Sequence, residues 1–137
     1  MIDIANIVID TISKAVWIEY PKADVSADYD PTPSVFPCVF IYEASNIAYP
    51  RSFDDALEDN HVTVMYVVDC FALDLETARK LRDICDATMQ DMKFTRNYSA
   101  PTFNIDRTIK RYTSRYTAVV GKPIQEGDTK IYQIYRS

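Results

Sequence analysis

The run Thr108-Ile109-Lys110-Arg111-Tyr112-Thr113-Ser114-Arg115-Tyr116-Thr117-Ala118-Val119-Val120, closed by Gly121, decides the fold. Its β-branched and aromatic residues suit a pleated, half-buried surface, and no proline interrupts it. Strand side chains alternate, so Ile109, Arg111, Thr113, Arg115, Thr117 and Val119 face away from Lys110, Tyr112, Ser114, Tyr116, Ala118 and Val120. The rest of the chain has to be arranged around a long strand whose two faces differ in chemistry.

Downstream, Gly127 and Asp128 mark a turn, and Ile131 to Tyr135 reads as a last strand that pairs back on the long one. Upstream, Pro101 is expected to break the chain after Phe94 to Tyr98, with a brief pairing at Phe103 to Ile105. Before that, Asp74 is placed to cap a helix of about eighteen residues in which Leu75, Ala78, Leu81, Cys85, Met89 and Met92 repeat at three- and four-residue steps. His61 to Ala72 reads as a strand with Val62, Val64, Tyr66, Val68 and Cys70 on one face, and Val35 to Ala44 as another, with Pro37 at its start or on an edge. Between these two strands, Asn46 to Asn60 is longer than most hairpin loops and is expected to be functional or mobile rather than a plain connector. It carries Tyr49, Arg51 and Phe53 beside Asp54, Asp55, Glu58 and Asp59.

Near the amino terminus, Ile4, Ile7, Val8, Ile12 and Ala15 fall on one side of a helix over residues 4 to 16, with Asp3 at its cap and Pro21 as its stop. An extended connection follows, with a short edge strand near Val25. Helix, two strands, helix, two or three strands: this order predicts a single α+β domain over residues 1–137, a mainly antiparallel sheet with two helices on one face.

The 137 residues, 47% of them hydrophobic, are enough for one core. Fifteen basic against twenty acidic residues give a net charge of -5, which disfavours non-specific attachment to nucleic acid or anionic membrane. The amino terminus is too interrupted by Asp3, Asn6, Asp10 and Lys14 for a signal core or membrane span. Cys38, Cys70 and Cys85 form no Cys-x-x-Cys pair and read as reduced, buried thiols of a protein made in the cytoplasm.

Chemistry that would mark an enzyme is not assembled. His61, the sole histidine, has no nucleophile partner at a recognisable spacing, and two isolated late glycines cannot cradle phosphate. Asp54, Asp55, Glu58 and Asp59 lack the alternation and central glycine of a calcium loop. The cysteines read as core rather than zinc ligands. No catalytic residue, metal or cofactor is expected. The mixture Arg107, Lys110, Arg111, Tyr112, Arg115 and Tyr116 resembles a single-strand nucleic-acid platform, but strand parity places the tyrosines opposite Arg107, Arg111 and Arg115. The alternative is that the arginines meet acidic groups, a neighbouring subunit or solvent while the tyrosines pack under a helix.

Phe36-Pro37-Cys38-Val39-Phe40-Ile41-Tyr42-Glu43 with Asn46, then Asn60-His61-Val62-Thr63-Val64-Met65-Tyr66-Val67-Val68, then Thr108-Ile109, Arg111-Tyr112 and Arg115-Tyr116-Thr117-Ala118-Val119-Val120, resemble the small tail-terminator proteins of long-tailed phages of Gram-positive bacteria, also called tail-completion or minor capsid proteins. The joint order of the motifs carries the resemblance, over about residues 35 to 135. It implies a structural virion protein without enzymatic activity, sited at the tail–neck junction. Such proteins form a ring, usually a hexamer, that caps the tail tube, contacts the tail tube protein and a neck or head-completion protein, and lets genomic double-stranded DNA pass without specific binding. No membrane is involved. Tyr49, Arg51, Phe53, Asp54, Asp55, Glu58, Asp59, Arg107, Arg111 and Arg115 are the expected subunit, tube or neck contacts. The alternatives are another neck protein, either head-completion or connector, and a small nucleic-acid-binding module.

Overall fold

A computed structural model describes residues 1–30, 32–48 and 61–137. The chain runs through α1 (Ala5–Glu19), β1 (Asp24–Ser26), β2 (Cys38–Ala48), β3 (His61–Ala72), α2 (Leu75–Asp91), β4 (Thr95–Thr102), β5 (Lys110–Gly121), β6 (Ile124–Glu126), β7 (Thr129–Ile131) and β8 (Ile134–Arg136). The main sheet has the order β1-β2-β3-β5-β4, with β8 also pairing β5. Every pairing in it is antiparallel except that of β1 with β2. The α+β class, the largely antiparallel sheet and the two helices agree with the sequence reading.

The long strand stands where its composition demanded, inside the sheet. It pairs with β3 along its whole length, from Lys110↔Ala72 to Gly121↔His61. Its other edge is shared: β4 covers Arg111 to Thr117, and β8 covers Ala118 to Val120. Because side chains alternate, Tyr116, Ala118 and Val120 join Val62, Val64, Tyr66, Val68 and Cys70 of β3 on one face. There they share a core with Val8, Ile12 and Val16 of α1 and Leu81, Cys85 and Met89 of α2. Both helices therefore pack on the tyrosine face of β5. The opposite face has a smaller buried cluster at one end, Cys38, Phe40, Phe71 and Ile109.

α2 is held at both ends by its own residues. Asp74 accepts from the Thr77 N–H at 2.9 Å, which satisfies one of the donors left over in the first turn. At the other end the Phe94 N–H reaches the Met89 carbonyl and the Lys93 N–H the Gln90 carbonyl, each at 3.0 Å. This is the paired Schellman closure, and it places Lys93 at a φ of 75°. Arg136 of β8 adds bonds from its guanidinium to the Phe94 and Gln90 carbonyls.

Several expectations are corrected. α1 runs to Glu19, and its buried stripe is Val8, Ile12 and Val16, while Ile7 is exposed. β2 begins at Cys38 and continues to Ala48, taking Asn46 out of the expected loop and accommodating a bulge between Glu43 and Ser45. Pro101 does not break the chain but lies within β4, because β4 is an outer strand where a nitrogen that cannot donate need not cost a ladder bond. Phe103 to Ile105 are not part of a strand and belong to the β4–β5 loop. The Gly127 turn, with a φ of 59°, closes a separate hairpin of β6 and β7. The expected last strand is thereby divided between β7 and β8.

Candidate assembly surface

The expected contact residues divide into three groups. Tyr49, Arg51, Phe53, Asp54, Asp55, Glu58 and Asp59 lie outside the described residues. Arg111 and Arg115 sit on the face of β5 turned away from the helices, with Arg111 opposite Phe71 and Arg115 opposite Val67 of β3. Arg107 is exposed in the β4–β5 loop.

Arg111 does not serve as a free contact, which corrects the expectation for it. Its side chain is only 15% exposed, and its Nε lies 3.1 Å from Oδ1 of Asp69, which is fully buried. The same Oδ1 accepts from the Thr113 hydroxyl at 2.6 Å, and Thr113 in turn accepts from Thr102 at 2.8 Å. The guanidinium also stacks near the rings of Tyr29 and Phe71, at 5.2 and 5.3 Å from their centroids. Burial alone would lower the Arg111 pKa, but the bond to Asp69 and its charge outweigh this and hold it above the ordinary value. Arg111 is thus an internal tie between β5 and β3.

Arg115 is exposed, and its guanidinium rests over the ring of Tyr98, 5.4 Å from the centroid. Tyr112 and Tyr116, by contrast, are buried on the helix side. Tyr116 donates to Asp86 of α2 at 2.8 Å, and Tyr112 accepts from Arg79 at 2.9 Å. Neither ring is available as a stacking platform. The cysteines are likewise dispersed: Cys70 and Cys85 are 3.9 Å apart between sheet and helix, and Cys38 lies in the cluster on the opposite face.

The structure adds a surface that sequence reasoning passed over. In the β4–β5 loop Phe103 is fully exposed and Ile105 88% exposed. Together with Leu75, Arg107 and Lys110 they line a groove at the end of the sheet. Leu73, just before α2, is also exposed nearby in the chain. The available signal was Phe103 and Ile105 themselves, two large apolar residues between Pro101 and a strand that had no use for them. They were read instead as a brief pairing.

At the other side of the sheet Asp24, Ser26, Asp28, Pro33, Val35 and Phe40 line a second groove, acidic and partly apolar. Among the described residues no helix is long and apolar enough to cross a membrane. Among the described residues the sheet thus carries an apolar tip with Arg107 and Lys110 beside β4 and an acidic groove beside β1. Comparison with known proteins finds no matching family model, and no curated protein matches the chain.

Proposed function

We propose that this protein is a structural virion component, a ring-forming tail terminator that caps a phage tail tube and joins the tail to the head and neck. The observation that carries the reading is where the resembling stretches fall. They lie almost entirely on β2, β3 and β5, three neighbouring strands paired in register. Stretches far apart in the chain thus form one continuous piece of the molecule. The tie of Arg111 to Asp69 and the burial of Tyr112 and Tyr116 weigh against the nucleic-acid alternative, since they remove two aromatic platforms and one cation from the binding set.

In this role DNA passes through the ring without being held, which the net charge of -5 favours. The ring is taken as a hexamer, with the tail tube protein on one side and a neck or head-completion protein on the other. Electron microscopy of the purified protein mixed with tail tubes tests the reading. A six-fold ring capping one end of each tube is expected. Rings that bind only the head vertex and leave tubes bare would reassign the protein to another neck position. Shortening the segment 49–60 is expected to leave a folded protein but yield tails that fail to join heads.

A further inference from the structure

We infer that neighbouring copies of this chain meet side by side, the Phe103–Lys110 tip of one copy seated in the Asp24–Asp28–Asp30 groove of the next. The inference rests on the ring reading above and names the contact that builds the ring.

The tip has an uncovered apolar point, two cations and one carboxylate, Asp106, which accepts from the Thr108 amide and hydroxyl. Phe103 and Ile105 project into solvent, and among the described residues neither Arg107 nor Lys110 takes part in an ion pair. Among the described residues the Lys110 ammonium donates to the Arg107 carbonyl, at 3.1 Å. A soluble surface gains nothing from two large apolar side chains held out in this way, whereas an interface gains a buried anchor. The groove supplies the opposite chemistry. Its three aspartates are exposed and outside any ion pair among the described residues, and Val35 and Pro33 line an apolar floor.

Register puts the two surfaces at opposite ends of one row. Asp24 pairs with Cys38, Cys38 with Phe71, Phe71 with Arg111 and Arg111 with Thr102. One row of residues therefore crosses the sheet from the acidic side to the basic side. The groove flanks one end of this row and the tip follows directly from the other. A tip seated in the next copy's groove is a heterologous contact, the kind that builds a ring when the rotation between copies closes.

Charge also chooses among the contacts two copies could make. Tip against tip would oppose two surfaces of net positive charge, each with Arg107 and Lys110 against the single Asp106, and groove against groove would oppose three carboxylates to three. Both two-fold contacts are penalised, and the head-to-tail contact is the one that pairs opposite signs.

Two charge-reversed variants test the inference, Arg107→Glu/Lys110→Glu at the tip and Asp28→Lys/Asp30→Lys in the groove. Circular dichroism should show both folded. Each alone is expected to self-associate at least about 100-fold more weakly than the native chain, by sedimentation velocity or by ring counts on tail tubes. Mixed one to one they should associate again, because each reversed surface then meets its reversed partner and each native surface a native one. If either variant misfolds, an Ile105→Cys/Asp28→Cys chain takes its place and should give an intermolecular disulfide ladder on oxidation by a disulfide reagent. Rings that survive both reversals, a mixture that stays dissociated, or no ladder would overturn this contact and leave the ring reading standing. A native chain that forms no ring either alone or on tubes would overturn the ring reading and this inference with it.

Discussion

Nε of Arg111 on β5 lies 3.1 Å from Oδ1 of Asp69 on β3, a carboxylate with no solvent exposure. Asp69 Oδ2 has no hydrogen-bond partner among the described residues, so the guanidinium and the Thr113 hydroxyl carry the compensation for the buried charge. Arg111→Met leaves that charge without a cation and is expected to cost about 3–5 kcal/mol of stability. Replacing both partners, Arg111→Met with Asp69→Leu, should recover most of the loss. Urea unfolding of the two variants checks this. A loss below about 1 kcal/mol for Arg111→Met would show that the tie to Asp69 contributes little to stability.

Lys93 occupies the left-handed position that closes α2, at a φ of 75°. A side chain there crowds its own backbone, while glycine does not. Lys93→Gly is expected to stabilise the protein by about 0.5–1 kcal/mol, after allowing for the greater freedom of glycine in the unfolded chain. A higher urea midpoint with unchanged slope confirms it, and a lower midpoint refutes it.

Alkaline pH should destabilise the fold. Burial first, then the charges of Asp24 and Asp30, push the Cys38 thiol from 9.0 up to about 12. Tyr116 and Tyr66 are raised above 10.0, chiefly by burial, with the hydrogen bond to Asp86 adding to the effect on Tyr116. These groups hold their protons more tightly folded than unfolded. Their contribution is therefore complete below pH 9 and is lost as pH rises through the folded values, at up to about 1.4 kcal/mol per pH unit for each group. Unfolding measured from neutral pH upward should show the decline, and Cys38→Ala should flatten its onset near pH 9.

Arg115→Glu should leave the fold intact, with a stability change within about 1 kcal/mol, because the side chain is exposed and its main described contact is the Tyr98 ring. Under the proposed function it should weaken attachment to the ring or tube. Thermal unfolding and tube capping separate the two effects. Unfolding would show that the Arg115–Tyr98 contact carries more stability than an exposed side chain should.

Where the pattern of residues was strong, the sequence was read correctly. β3 begins and ends at His61 and Ala72 as expected, and Asp74 caps α2, because alternation and a cap leave little freedom. The sidedness of β5 followed from parity alone. What escaped depended on neighbours distant in the chain. Asp69, forty-two residues from Arg111, looked like one polar residue on a strand rather than the partner that would claim an arginine. Pro101 looked like a break because nothing local says that its strand is an outer one. The Phe103–Ile105 tip is not legible, since two apolar residues two apart read the same in a strand and in an uncovered loop.

The shared edge of β5 bears on how the chain is made. Three strands pair with it: β3, completed well before it in the chain, β4 just before it, and β8 at the carboxyl end. During synthesis β3 emerges with β2 ready beside it, but its other edge waits until α2, β4 and β5 have followed. For that interval the apolar row from Val62 to Ala72 presents unpaired backbone, the condition under which nascent strands associate wrongly. Chains interrupted before β5 should accordingly be recovered as aggregates, while loss of β8 alone should spare solubility.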